Sequence, residues 1–463
     1  MTDTSRVGAS RVGFSLAAAI CSLMLAGGST KAADFYTLKG HGGPVMDIAV
    51  STETGSIVSA SFDNSVGVWD GRTPKWLEAH EAAVNVVEFI APGHLASAGD
   101  DFSVILWDMA AGRHQRLTGH KGKVVELAIS PDKRLLASAS WDGSIGLWSL
   151  DSSGDKTPVF LNGHTAGVNA LAFSADGNSL YSASVDGTIR LWDIAGRSEE
   201  RILVQNGFGI NVIALGGDDE GGKAEWLAYG TVDGITRIID IESGDVLHDF
   251  TFDRRPILAM AFDPSDGRLA TGDGHGYITI FNTQDWAIER DFKAALKGPI
   301  WALAFSSDGT SILAGGIENI VYAWPIENLA EHEPMAASTP SFLRSPEEMS
   351  NGERQFARKC SICHSLTDSS ARKAGPNLHQ LFGRQAGTLP GYNYSDTLVN
   401  SKVVWNETTV DLLFAEGPDE YIPGSKMPMQ RITGPQDRHD LVEYYQVDPV
   451  IIGHRHEGRK SAA

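Results

Sequence analysis

Cysteine is nearly absent from this chain. Its 463 residues contain three cysteines, Cys21, Cys360 and Cys363. So low a count excludes a fold held together by disulfide bridges, because such folds are small and dense in cysteine. Cys21 falls in an apolar N-terminal stretch, so any thiol chemistry rests on the pair separated by two residues.

Basic residues are also scarce. Lysine and arginine total 38 against 58 aspartate and glutamate residues, which gives a formal net charge of -20. Nucleic-acid binding needs a basic surface that neutralises phosphates, so the composition argues against that class of function. From residue 345 to the end, 13 basic residues nearly balance 15 acidic ones, so the acidic surplus lies in the first 344 residues.

Long hydrophobic runs are missing too. The N-terminal apolar stretch from Val12 to Gly28 is shorter than the about 20 residues that cross a bilayer. Arg6 and Arg11 precede it, and Lys31-Ala32 follows it. This order is typical of a secretory signal peptide over residues 1–32, so we expect cleavage near Ala32 and no membrane span afterwards. A retained membrane anchor is the alternative.

Glycine is abundant, at 50 residues against 19 prolines, which favours an all-β chain with many tight turns. Residues 161–194 show a repeat unit: a Gly-His pair, an apolar strand, an Asp-Gly turn, a second strand, then Asp and a strand ending Leu-Trp-Asp. The unit recurs about every 40 residues, which is the period of a propeller blade. The last Asp of each unit, or the residue in its place, is Asp63, Asp101, Asp142, Asp186, Asp233, His275 and Glu318. The sequence therefore predicts seven blades.

These units resemble the WD-repeat β-propeller family over residues 34–326. The resemblance implies that the His, Asp and Trp of a blade form a buried hydrogen-bonded set with a strand Ser, so these histidines are structural. Four units carry the set: His41, Asp63 and Trp69; His80, Asp101 and Trp107; His120, Asp142 and Trp148; His164, Asp186 and Trp192. The last three units lack the Gly-His pair, and Ile239 and Phe281 replace Trp in two of them. Residues 35–38 read as an outermost strand that completes the seventh blade.

The repeat ends at Ile326, and residues 327–344 read as a linker. Ser345 and Pro346 then predict a helix, with Ser345 as N-cap, that runs to about Lys359. Gly352 is a poor helix former, so its place there predicts close packing against a terminal helix through Leu441 and Tyr444. The second domain is predicted over residues 345–448, with a tail over 449–463.

Cys360, Cys363 and His364 form a Cys-x-x-Cys-His motif. Two thiols at this spacing each form a thioether to one porphyrin, and the adjacent imidazole ligates the iron, which is the pattern of covalently attached haem c. A zinc knuckle needs further ligands, and none stands at usable spacing. A redox dithiol needs a βαβ context that the flanking sequence lacks. One haem is expected, because no second motif occurs.

Residues 350–446 resemble class I cytochrome c of the mitochondrial and α-proteobacterial type. The matching segments are GERQFARKCSICH, AGPNLHQLFGR, PGYNYSD and YIPGSKMPM. The resemblance implies that Met427 is the second axial ligand of the iron, together with His364. A thioether is a soft ligand that suits haem iron, which favours the same residue. Met429 is the alternative.

Other roles follow from the resemblance one residue at a time. The carbonyl of Pro376 is implied to accept a hydrogen bond from the His364 ring. Tyr394 and Trp405 are implied to donate to a haem propionate, and Arg384 to offset its charge. Three lysines are implied to form an exposed basic rim at the haem edge: Lys359, Lys373 and Lys426.

The predicted fold is multidomain, an all-β seven-bladed β-propeller followed by an all-α class I cytochrome c domain. The predicted function is single-electron transfer by a periplasmic, single-haem cytochrome of a Gram-negative bacterium, with the propeller docking a protein redox partner. The alternative is an oxidoreductase with a substrate site in the propeller and the haem as electron outlet. The sequence shows no recognisable flavin, molybdenum or quinone motif, which favours the electron carrier.

Overall fold

The computed structural model describes residues 34–151, 156–217, 224–251, 256–327, 329, 349–368, 372–427 and 430–446. The predicted signal peptide, most of the predicted linker and the predicted tail lie outside the described residues. No helix within these described ranges is long and apolar enough to cross a membrane.

Within the described residues, 28 strands form seven four-stranded antiparallel sheets, one for each predicted blade. Blades 1 to 3 contain β2 Val45–Val50, β3 Ile57–Ser61, β4 Val66–Asp70 and β5 Thr73–Leu77; β6 Val84–Ala91, β7 His94–Gly99, β8 Val104–Asp108 and β9 Arg113–Leu117; and β10 Val124–Ile129, β11 Leu135–Ser140, β12 Ser144–Ser149 and β13 Val159–Asn162. Blades 4 to 6 contain β14 Val168–Phe173, β15 Ser179–Ser184, β16 Thr188–Asp193 and β17 Ser198–Gln205; β18 Ile210–Gly216, β19 Trp226–Thr231, β20 Ile235–Asp240 and β21 Val246–Thr251; and β22 Ile257–Asp263, β23 Arg268–Asp273, β24 Tyr277–Asn282 and β25 Ile288–Lys293.

Blade 7 closes the ring. It contains β26 Ile300–Phe305, β27 Ser311–Gly316, β28 Ile320–Pro325 and, as its outermost strand, β1 Tyr36–Lys39. β1 pairs antiparallel with β28, Tyr36 opposite Ala323 and Leu38 opposite Val321. The predicted closure by the N-terminal strand is therefore confirmed, because the strand that leads into blade 1 also completes the sheet of blade 7.

The first four blades share a buried hydrogen-bonded set. In blade 1 the Nδ1–H of His41 donates to Asp63 (3.2 Å), the Ser59 hydroxyl donates to His41 Nε2 (2.7 Å), and the Trp69 indole N–H donates to Ser59 Oγ (2.8 Å). Blades 2 to 4 repeat the set around Ser97, Ser138 and Ser182. Because each buried polar atom has a partner, these histidines stabilise the blades.

Blades 5 and 6 rely on aromatic packing instead. Trp226 lies between Phe262 and Trp286, with ring centroids 5.0 and 5.1 Å apart, and Phe281 is completely buried. This agrees with the absence of the Gly-His pair from their sequences.

One end of the propeller, which we call the top face, carries two kinds of connection. Because the strands alternate in direction, the turn between the second and third strands of a blade lies at the same end as the loop into the next blade. Gly42 lies in such a loop, and Asp63 lies in such a turn.

The second domain contains α1 Asn351–Lys359, α2 Asp396–Val399, α3 Glu407–Glu416, α4 Pro418–Tyr421 and α5 Pro435–Gln446. The predicted start of α1 is wrong, because Ser350 is the N-cap and its hydroxyl accepts from the backbone N–H of Glu353 at 3.2 Å. The predicted packing at Gly352 is confirmed. A Cβ there would lie 2.1 Å from Asp440 O and 2.8 Å from Tyr444 Cβ, so glycine lets α5 cross α1 closely.

Candidate haem site

The end of α1 places the two thiols and the imidazole. Cys360 is the C-cap of the helix, and its backbone N–H donates to Phe356 O at 2.8 Å. The chain then turns, so that the N–H groups of Cys363 and His364 both donate to Cys360 O, at 3.1 and 2.8 Å. One turn of backbone therefore positions the whole Cys-x-x-Cys-His motif.

A second segment fixes the His364 ring. Nδ1 lies 2.8 Å from Pro376 O, the hydrogen bond predicted for this pair, which leaves Nε2 as the ligand atom. Burial lowers the pKa of His364, so the ring is neutral at pH 7. A Cβ on Gly375 would lie 2.3 Å from His364 Cε1, so only glycine fits against this ring.

These residues border a cavity of about 600 Å³. All eight predicted haem-binding residues line it: Cys360, Cys363, His364, Pro376, Arg384, Tyr394, Trp405 and Met427. Its other walls are largely apolar and include buried residues of α3. The shape and lining are those of a site for a large, mostly apolar prosthetic group.

Met427 lies in the loop after α4 and packs against the apolar cluster of this domain. Its rival, Met429, lies outside the described residues. The choice of Met427 as axial ligand therefore stays a prediction that its place on the cavity wall supports.

The residues predicted to face a propionate lie together. Arg384 uses two of its donor groups on backbone carbonyls, those of Asn377 (2.6 Å) and His379 (3.3 Å), which holds the guanidinium in place. Tyr394 stacks edge-on against Tyr392, with ring centroids 4.7 Å apart, and burial raises the pKa of Tyr394. At neutral pH the Tyr394 phenol therefore keeps its proton, and its O–H can donate a hydrogen bond.

Two tyrosines at the site are not among the residues predicted from the sequence. The Tyr445 hydroxyl donates to Cys360 Sγ at 3.4 Å, and the Tyr392 hydroxyl donates to Ala374 O. Burial raises the pKa of each cysteine thiol to about 11. Tyr392 stands in the PGYNYSD segment and so had a sequence signal, whereas Tyr445 had none beyond its place in a terminal helix.

The propeller supplies part of the cavity wall. Phe62, Phe102 and Lys123, all on the top face, border the same cavity. The basic rim that was expected to be exposed is only partly exposed, because Lys359, Lys373 and Lys426 are all half-buried. Burial lowers the pKa of Lys426, an effect that the nearby propeller carboxylates oppose.

Comparisons with known proteins agree with the assignment of both domains. A family model for the WD domain, G-beta repeat, matches residues 34–70, 71–108, 113–149, 155–193 and 289–324, and a model for cytochrome c matches residues 349–446. Cytochrome c of Sesamum indicum is 45% identical over 100 residues, which are 21% of this chain and 88% of the relative. The chain belongs to the cytochrome c family. Cytochrome c of Nigella damascena is 42% identical over 106 residues, 22% of this chain and 94% of the relative.

The cytochrome c domain carries covalently attached haem c and is an electron-transfer domain, and the WD propeller is suited to protein interaction. The donor set fits this group: two thiols, a neutral imidazole and a thioether border one cavity. Bound haem supplies an iron that is reversibly oxidised and reduced by one electron. Cys360, Cys363 and His364 would hold the haem, and the hydrogen bond to Pro376 O orients the His364 ring.

Three carboxylates line the propeller's central channel away from this site. Asp47, Glu88 and Glu126 lie on the first strands of blades 1 to 3, which contact one another around the axis. Burial raises the pKa of Glu88 to about 8, that of Asp47 to about 6, and that of Glu126 well above its usual value. Repulsion by the Asp47 carboxylate acts in the same direction as burial at Glu88 and Glu126.

The stability of the propeller should fall as pH rises from about 6.5 to 8.5. Up to about pH 8 Glu88 is largely protonated in the folded protein and ionised in the unfolded chain, because its folded pKa is the higher one, and unfolding therefore releases a proton. Below about pH 6.5 the buried histidines His120 and His164, whose pKa values burial lowers, act in the opposite direction. Glu88→Gln should therefore flatten the decline and raise the free energy of unfolding at pH 8.5 by about 1 kcal/mol.

Denaturant unfolding at several pH values measures this effect. The exposed Glu225→Gln is the matched control and should leave the profile unchanged. Equal profiles for Glu88→Gln and wild type would show that the channel does not raise the pKa of Glu88.

Proposed function

We propose that the protein is a periplasmic single-haem electron carrier whose propeller docks a redox partner beside its cytochrome c domain. The signal-like N-terminal sequence supports export, and covalent attachment at Cys360 and Cys363 requires a maturation system that the periplasm provides. The observation that carries the proposal is the haem cavity's position: it borders the top face of the propeller. A protein held on that face lies within reach of the haem.

The rest of the top face is suited to protein binding. Its turns and loops expose apolar side chains, including Trp141 (55% exposed), Val185 (50%), Phe208 (57%) and Val232 (46%). Exposed apolar side chains gathered on one face mark interaction sites. We infer that the partner covers this part of the face, in blades 3 to 5, while the cytochrome domain lies over blades 1 and 2.

Replacing Val185 and Val232 together by aspartate should slow electron exchange with the partner about tenfold, because burying a charge in an apolar contact costs at least about 1.4 kcal/mol. Stopped-flow absorbance of the haem measures the rate, with a periplasmic extract fraction that exchanges electrons with the wild-type protein. Val246→Asp is the matched control, because Val246 is 55% exposed on the outermost strand of blade 5, away from the top face.

An unchanged rate for the double variant would show that the partner does not bind this part of the top face. Reduction of the haem by a small-molecule substrate other than a general chemical reductant such as ascorbate, with no extract present, would instead support an oxidoreductase with its substrate site in the propeller.

A further inference from the structure

Gly42 sets the first blade apart from the next three. The residue after the blade histidine is Glu81, Lys121 or Thr165 in blades 2 to 4, and each of these is exposed. Gly42 is buried. The backbone makes the same hydrogen bond at all four positions, from its N–H to the Asp of the blade. The distance is 2.7 Å for Gly42 and 3.0, 2.7 and 3.0 Å for Glu81, Lys121 and Thr165. A side chain is therefore compatible with the propeller at this place.

The cytochrome domain explains the missing side chain. A Cβ on Gly42 would lie 2.4 Å from the backbone N of Lys373 and 2.5 Å from the carbonyl carbon of Arg372. The φ of Gly42 is not in the left-handed region, so backbone conformation does not require glycine here. What requires it is the close approach of the segment that leads into Gly375 and the His364 ring.

Arg372 makes the second half of the contact. Its Nε donates to Asp63 at 3.1 Å, its Nη2 donates to Glu78, and its guanidinium lies 4.9 Å from the Trp76 ring centroid. The Asp63 carboxylate is fully buried and already accepts from His41 and Gly42. Since a planar guanidinium can pair with two carboxylates and stack on an aromatic ring at once, one residue anchors the domain.

We propose that blade 1 is a docking site for the cytochrome domain of the same chain, made by Gly42, Asp63, Trp76 and Glu78, which closes one edge of the haem cavity to large redox partners. The docked state brings Phe62 and Phe102 to the cavity wall. A small reductant passes into the remaining cleft, whereas a protein reaches this edge when the contact opens. The docking contact follows from the contact residues alone. Its effect on electron exchange with a protein rests on the proposed function.

Gly42→Glu tests the contact in the full-length protein with haem attached. Glutamate already stands at the equivalent place in blade 2, so the propeller should fold, while the side chain collides with the cytochrome backbone. Native trypsin digestion followed by mass spectrometry should show cleavage after Arg372 or Lys373 at least about tenfold faster than in wild type, because local opening exposes these bonds. Cleavage after the exposed Lys402 is the internal reference.

Lys121→Glu is the matched control, because it places the same side chain at the equivalent position of blade 3, and it should cleave like wild type. Arg372→Glu approaches the contact from the cytochrome side and should open it as well, with cleavage then followed after Lys373. Glu78→Arg in that variant should partly restore protection. Wild-type cleavage rates in Gly42→Glu and Arg372→Glu would overturn docking.

Electron exchange then tests the closure. Reduction of the haem by a reduced small copper protein should be faster in Gly42→Glu than in wild type, by several-fold or more, whereas reduction by ascorbate should change less. If Gly42→Glu speeds haem reduction equally with both reductants, or with neither, closure is overturned even if the digestion shows docking. A haem that neither reductant reduces would contradict the proposed function and leave the digestion result standing.

Discussion

The reduction potential of the full-length protein should fall when Met427 is replaced by alanine, by a sizeable part of the roughly 0.8 V range that axial ligands span. A methionine thioether stabilises reduced iron relative to oxidised iron, so Met/His ligation raises the potential. Met427 lies on the wall of the cavity that His364 also borders. A potentiometric titration followed by haem absorbance measures the change.

Met429→Ala is the matched comparison, since it removes the rival thioether two residues away. It should leave the potential near the wild-type value and keep the sulfur-to-iron charge-transfer band of the oxidised protein, which Met427→Ala should lose. The reverse outcome would assign the ligand to Met429.

Gly375→Ala should lower the amount of covalent haem that the protein carries, because altering a group that orients a metal ligand weakens metal binding by roughly 10- to 100-fold. The new methyl group would lie 2.3 Å from Cε1 and 2.7 Å from both ring nitrogens of His364. The ring must move, and its hydrogen bond to Pro376 O is lost with it. Covalent haem per chain, from the pyridine haemochrome spectrum, measures the loss.

Gly207→Ala is the control for a glycine-to-alanine change, because a Cβ there meets open space. It should carry haem like wild type. Full haem content and an unchanged potential in Gly375→Ala would show that the packing of Gly375 against His364 does not position the ligand.

The sequence predicted the parts of the molecule that local patterns determine. Cys360, Cys363 and His364 lie within one turn of backbone, so their spacing alone places them together. Blades 1 to 4 each repeat a His, Ser, Asp and Trp pattern that a single blade satisfies within about 30 residues. The closing strand was predictable for the same reason, since Phe35 to Leu38 copy the outer strand of later repeats. The start of α1 was mispredicted because Ser350-Asn351-Gly352-Glu353 competes with Ser345 as a capping sequence.

Contacts between distant segments were not predictable in the same way. Gly375 and Tyr445 act at the site through tertiary packing, which has no period in the sequence. In the sequence Gly42 is indistinguishable from an ordinary turn glycine, and only the structure shows that the Lys373 backbone packs against it. The pairing of Arg372 with Asp63 joins two domains, and neither domain's motif specifies the orientation of the other.

Electron transfer by this chain depends on covalent haem, so mass spectrometry of the wild-type protein is the decisive measurement. The intact mass of the purified full-length protein should exceed that of the polypeptide by one haem, and peptide mapping should place both thioether bonds at Cys360 and Cys363. A mass equal to that of the unmodified polypeptide, or haem that acidified organic solvent extracts, would show that the chain does not carry covalent haem c.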